Sequence, residues 1–129
     1  MTGLDSNVLV RYLAQDEVAQ AARASRLIER ELTARTPGFI SLIVLVETCW
    51  VLKRVYGITP AEIAETVRDL LDTRQLVIEN RSAVTRALAR AKGDDIADGM
   101  ITEIALQAGC ARIVTFDRKA ARSGMTLLS

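Results

Sequence analysis

Short β-type runs alternate along this chain with longer stretches of helical periodicity, and that alternation leaves few folds open. Residues 1–5, Phe39-Ile40, Leu76-Val77-Ile78 and Ile113-Val114-Thr115-Phe116 read as strands, with Thr126-Leu127-Leu128 as an edge strand. A short helix is expected from Ser6 or Asn7 to Leu13, and an amphipathic one from Asp16 to about Arg35. Ser41 caps a third helix that runs to about Tyr56, where Gly57 stops it. Thr59-Pro60-Ala61-Glu62 combines an N-cap, a proline at the first helical position and a capping-box glutamate, opening a helix to about Asp72. Two more helices are expected, from Ser82 to Lys92 and from Asp95 to Ala108, ended by Gly93 and Gly109. Strands separated by helices make a parallel sheet covered on both faces. The expectation is an α/β protein: a three-layer α/β/α sandwich with a mostly parallel central sheet of four to five strands. A length of 129 residues suits one domain, residues 1–129, built on one core.

Four acids stand where such a sheet gathers its chemistry. Asp5 and Asp117 each follow a strand, and sites in open parallel sheets form at the carboxyl ends of the strands. Glu47 and Asp98 each lie early in a helix, near the end that receives the chain from the strand side. Isolated carboxylates among core residues are costly to desolvate, so a set of four needs positive compensation. Two carboxylates about 4 Å apart repel by roughly 4 kcal/mol at an effective dielectric of about 20. Too few cations stand beside these acids in sequence to cancel that repulsion. All-oxygen ligands select hard ions, so Mg²⁺ or Mn²⁺ is the economical answer.

Each acid also has a purely structural reading. Asp5 can cap the helix beginning near Ser6, Asp95 and Asp98 can be a cap and a first-turn acid, and Asp117 can cap one short turn. Glu47 resists this reading best, because Leu45, Val46, Thr48, Cys49, Trp50, Val51 and Leu52 leave it little polar face. Lys53 and Arg54 are its candidate structural partners.

Composition then removes whole classes of chemistry. The chain has no histidine, which excludes Ser-His-Asp and Cys-His nucleophile systems, HExxH zinc sites and histidine general bases. Catalysis must fall to carboxylates. Cys49 and Cys110 are far apart, without CxxC spacing, and read as buried small hydrophobes in a reducing cytoplasm. No signal peptide is expected, since the N-terminus runs straight into Asp5, Asn7 and Arg11, and no apolar run approaches the roughly twenty residues of a membrane span. A net charge of +1 leaves phosphate binding to local patches, for which Arg11, Arg112, Arg118, Lys119 and Arg122 are candidates. The helix from Ser41 to Gly57 is apolar nearly all round, which points to a face that meets another subunit or a partner. A second apolar groove is expected near the first two helices, open to an amphipathic partner helix.

Four stretches resemble one known family. Gly3-Leu4-Asp5-Ser6-Asn7-Val8-Leu9-Val10-Arg11-Tyr12-Leu13 looks like the opening of a PIN-domain protein. Ser41 to Leu52, around Glu47, resembles the family's second acidic motif. Gly93-Asp94-Asp95-Ile96-Ala97-Asp98 resembles the third, and Thr115-Phe116-Asp117-Arg118-Lys119-Ala120-Ala121-Arg122 the fourth. Order, spacing and length together are similar to the VapC toxins of bacterial toxin–antitoxin modules. The resemblance implies a Mg²⁺-dependent endoribonuclease, held inactive by a VapB-type antitoxin and working as a homodimer. By position, Asp5, Glu47, Asp98 and Asp117 would bind the metal. Asn7 and Thr115 would hold carboxylates by hydrogen bonds, and Asp95 would be a secondary acid. Ile96 stands where the family commonly has Phe, a departure that leaves the chemistry alone.

Two other readings stay open. An aspartyl phosphotransferase would place its nucleophile after the first strand, but the haloacid-dehalogenase type wants a second Asp where this chain has Asn7. A catalytically inactive PIN module would keep the acids for binding or assembly alone.

Overall fold

The computed structural model describes residues 1–128. Its strands are short and all pair in parallel. β1 (Thr2–Gly3), β2 (Gly38–Ile40) and β3 (Leu76–Ile78) form a sheet in that order, with Thr2 opposite Gly38 and Gly38 opposite Leu76. β4 (Val114–Thr115) and β5 (Thr126–Leu127) form a separate two-stranded ladder. The expected single sheet of four to five strands is therefore divided in two. β1 and β4 are two residues long, so a ladder between them would add only a pair of hydrogen bonds.

Seven helices surround these strands among the described residues: α1 (Ser6–Ala14), α2 (Val18–Arg26), α3 (Leu42–Arg54), α4 (Pro60–Leu71), α5 (Arg81–Ala91), α6 (Ile96–Gln107) and α7 (Arg118–Arg122). Local chemistry accounts for most of their starts. The Ser41 hydroxyl accepts from Val44 N at 3.1 Å, and the Thr59 hydroxyl accepts from Glu62 N at 3.2 Å. Glu79, just past β3, accepts from Leu42 N at 2.9 Å and so places a carboxylate on the positive end of α3.

The amphipathic stretch after Asp16 does not run unbroken to Arg35. It widens into a π-turn at Leu27–Glu31, closed by Leu32 N donating to Leu27 O at 2.9 Å. The wider turn lets Ile28 and Leu32 both reach the core. Gln75 Nε2 donates to the Ile28 carbonyl at 2.9 Å and satisfies a group that α-helical bonding would have covered.

Leu9, Ile28, Ile40, Leu45, Ile96 and Met100 are fully buried and tie α1, β2, α3 and α6 into one core. α5 and α6 pack closely, since a Cβ at Gly99 would lie 3.2 Å from the Ala87 carbonyl oxygen. Arg90 clamps the same pair from outside, donating through Nε and Nη2 to Oε1 of buried Glu103 at 3.0 and 2.8 Å. These contacts fix the start of α6, where Asp98 sits. No helix among the described residues is long and apolar enough to cross a membrane.

Candidate active site

Asp98 is the electrostatic centre of the acids. It lies in the first turn of α6 and is half-buried. Burial, then the charges of Asp95 and Asp117, push its carboxyl above the usual range, and Lys53 partly offsets them. Asp95, Asp98, Asp117 and Lys53 thus share one neighbourhood. Asp5 and Glu47 are not among the groups that act on Asp98.

Three of the acids answer to backbone donors. Asp5 Oδ1 accepts from Ser6 N at 2.8 Å at the start of α1. Asp95 Oδ1 accepts from Ala97 N at 2.9 Å, and its Oδ2 pairs with Lys53 Nζ at 3.1 Å. Asp117 Oδ1 accepts from Lys119 N and Ala120 N at 2.8 and 3.4 Å. The structural readings of these residues as caps are therefore real interactions, and they also aim the carboxylates.

The sequence led to an expectation of acids set among core residues, and the exposures differ from it. Asp5, Glu47 and Asp117 are exposed. Glu47 is the clearest case. α3 buries Leu45, Thr48, Cys49 and Leu52 on one side, so Ile43, Glu47, Trp50 and Arg54, spaced at helical intervals, share the exposed side. Its proposed cations have other partners, since Lys53 bonds Asp95 and Arg54 lies over the Trp50 ring at 4.0 Å.

The supporting residues are placed as follows. Asn7 is exposed beside the groove between α1 and α2, and no carboxylate is bonded to it among the described residues. Thr115 Oγ1 accepts from Asp117 N at 3.0 Å, so it shapes the turn through the backbone rather than holding a carboxylate. Arg11 is drawn into a local network: it donates to Gln20 Oε1 at 2.9 Å and to the Tyr56 hydroxyl at 3.2 Å, beside Asp16. It is less available to phosphates than Arg112, Arg118, Lys119 and Arg122, which are exposed and form no ion pair among the described residues.

Cys49 adds no nucleophile. Burial, reinforced by the Asp95 charge, pushes the Cys49 thiol up to about 12, so it stays protonated at neutral pH. Cys110 is exposed, not buried as the sequence suggested, because it falls in the turn beyond Gly109 where α6 has ended. Both are free thiols.

No group of three or more Asp, Glu or Cys side chains is arranged to hold a metal ion among the described residues. The donors nonetheless suit a hard cation, being carboxylate oxygens throughout. Asp5 and Asp117 each use only Oδ1 for capping, and Asp98 and Glu47 make no side-chain hydrogen bond among the described residues, so all four keep an oxygen to offer. Asp95 does not, because both its oxygens are engaged. The sequence offered Lys53 as a partner for Glu47, and the structure pairs it instead with Asp95, 42 positions away.

No curated protein matches this chain closely enough to count as a relative. The PIN domain family matches residues 4–124, a span that holds all four acids together with Asn7, Asp95 and Thr115. PIN domains are generally nucleases that bind RNA, and they commonly use divalent metal ions. A match over nearly the entire length, on a parallel α/β scaffold, settles the family: this chain belongs to the PIN-domain proteins.

Proposed function

We propose that the chain is a single-domain, Mg²⁺-dependent endoribonuclease, with Mn²⁺ as a substitute ion, acting in the cytoplasm as the toxin of a toxin–antitoxin pair. The observation that carries this reading is the PIN-domain match over residues 4–124, which holds half-buried Asp98 with the carboxylates of Asp95 and Asp117 in its neighbourhood. Asp5, Glu47, Asp98 and Asp117 would hold the metal. When bound, it lowers the pKa of a water and neutralises charge on the scissile phosphate. Asp98 or Asp5 orients the attacking water and accepts its proton. The water oxygen bonds to phosphorus, the bond to the leaving ribose oxygen breaks, and solvent protonates that oxygen. Asp95, pinned by Lys53 and Ala97 N, keeps the start of α6 in place, while Thr115 and the cap of Asp117 do the same for the last acid.

Two surfaces support the partners. A groove of about 600 Å³ between α1 and α2, lined by Val8, Ala24, Leu27 and two arginines, suits an amphipathic segment of a VapB-type antitoxin. The exposed side of α3, with Ile43 80% and Trp50 52% exposed, continues across Ile104 of α6 and suits a homodimer contact.

The inactive-module reading draws on the capping of Asp5, Asp95 and Asp117 and on the absence of a close three-carboxylate group among the described residues. One assay separates the two readings. Purified, partner-free protein is expected to cut single-stranded RNA with Mg²⁺ or Mn²⁺ and to stop in EDTA. No cutting with either ion would leave the binding module as the better account, and equal cutting in EDTA would overturn the metal dependence.

A further inference from the structure

Beside the acids, the chain displays an aromatic ring that its core does not use. Phe116 is 79% exposed and directly precedes Asp117, so its Cα is about 3.8 Å along the backbone from an acid that acts on Asp98. The turn carrying it is held at three points: Asp117 N donates to Thr115 Oγ1, and Asp117 Oδ1 accepts from Lys119 N and Ala120 N. Buried Ala120 anchors the far end. The ring is therefore presented by a backbone already ordered, with two side-chain torsions left to fix.

Its charged surroundings are equally specific. The chain carries a net charge of only +1, yet residues 112–122 hold Arg112, Arg118, Lys119 and Arg122 against the single acid Asp117. All four cations are exposed and form no ion pair among the described residues. An ordered aromatic interleaved with unpaired cations is the chemistry that receives single strands, because every base has a π-face and every nucleotide a phosphate.

We propose that Phe116 is a stacking platform for one unpaired base of the RNA, with Arg112, Arg118, Lys119 and Arg122 taking the flanking phosphates. The proposal rests on the nuclease reading of the same site and adds how the substrate is gripped there. Stacking beside Asp117 would place the adjoining phosphodiester at the acids and would favour single strands, whose bases are free to splay, over duplex.

The test uses the whole protein and a fluorescein-labelled single-stranded RNA decamer. Anisotropy in EDTA reads binding, and cleavage with Mg²⁺ reads kcat and KM separately. Phe116→Ala is expected to weaken binding by roughly 5- to 100-fold and to raise KM more than it lowers kcat. Phe116→Trp should bind as well as wild type or better, whereas Phe116→Leu, apolar but without a π-face, should be as weak as Phe116→Ala. Wild-type binding by Phe116→Leu would overturn the platform in favour of a plain apolar contact. Wild-type binding and KM in Phe116→Ala would overturn it too, while leaving the nuclease reading intact as long as Asp98→Asn abolishes cleavage. Unchanged RNA binding with altered mass by light scattering would assign Phe116 to a protein contact and end the proposal. A wild-type protein that neither binds nor cuts RNA would remove both readings together.

Discussion

The region around β1, β2, β3 and the last sixteen described residues solve the problem of aiming a carboxylate in different ways. In the first, Leu9, Ile28, Ile40 and Leu45 are buried in the main core, and Asp5 follows buried Leu4 while its Oδ1 caps α1 through Ser6 N. In the second, β4, α7 and β5 pack chiefly on one another and bury little beyond Ala120 and Met125. Asp117 is aimed there by local hydrogen bonds alone. Asp98 stands between them on α6, held by the close approach of α5 and sensing the charge of Asp117. The first region therefore rests on a packed core and the second on local bonds, so a cation held between Asp98 and Asp117 would do more to order the second region than the first.

The largest effect expected is on Asp98. Asp98→Asn, or EDTA on the wild type, should lower the cleavage rate by about 10³-fold, corresponding to several kcal/mol of lost charge stabilisation. The same substitution should leave the metal-free protein at least as stable at neutral pH. A carboxyl whose folded pKa is raised favours folding fully only below its unfolded value, and that benefit is lost as pH rises through the folded value. A metal-free melting curve for Asp98→Asn well below that of wild type would break the account of Asp98 as a strained acid.

Core substitutions sharpen the contrast between the regions. Ile40→Ala should cost about 2–5 kcal/mol by urea denaturation, while Leu127→Ala in β5 should stay within about 0.5 kcal/mol. Similar costs at the two sites would show the C-terminal ladder to be as integral as the first sheet.

Asp117→Asn should cost activity only about 10- to 100-fold, less than Asp98→Asn, since Asn also caps helices and preserves the turn. Hydrogen exchange gives the structural side of this prediction. Mg²⁺ should slow exchange at Lys119 and Ala120 more than in β2, and a uniform response along the chain would remove the asymmetry.

Lys53 offers a smaller effect. Lys53→Ala should change stability by less than about 1 kcal/mol, because the pair with Asp95 is partly exposed. It should reduce activity by about 10-fold through the loosened start of α6, with Lys53→Arg restoring most of it. A Lys53→Ala enzyme with unchanged metal affinity by isothermal titration and unchanged kcat would reduce the pair to surface decoration.

The smallest effect is a titration far from the acids. The Tyr56 hydroxyl donates to Asp16 Oδ2 at 2.7 Å and, more than any other group, holds that carboxyl below its usual range. A lowered folded pKa gives stability that is present above the unfolded value and lost as pH falls through the folded one. In Tyr56→Phe the Asp16 resonance should titrate closer to the ordinary range by NMR. An unmoved titration would assign the shift to Arg11 and the backbone instead.

Local signals in the sequence were read well because their causes lie within a few residues. Ser41, Thr59 and Asp95 cap helices where side-chain oxygens face the next turn, and Leu76–Ile78 is a strand with the extent its apolar run suggests. The reading failed wherever burial on one side of an element had to be guessed. Glu47 looked enclosed because its neighbours in sequence are apolar, but a helix spreads neighbours around its axis, and the core took only Leu45, Thr48, Cys49 and Leu52. Cys110 looked buried by residue type and lies past the end of a helix. The break at Leu27 carries no glycine or proline to announce it, and it arises because Ile28 and Leu32 both find space in the core.

By itself, then, the sequence determined the alternation of strands and helices, the caps that start several of them and the exclusion of histidine chemistry, since each follows from residue type and short-range spacing. Tertiary structure alone decided which charges meet. Lys53 reaches Asp95 across 42 positions, burial raises Asp98 with the charges of Asp95 and Asp117 adding to it, Arg11 donates to Tyr56, and the expected single sheet divides into two ladders. Coulomb energies and packing depend on distance in space, and distance in space is set by how α3, α5 and α6 bury their apolar faces together, which no stretch of a dozen residues contains.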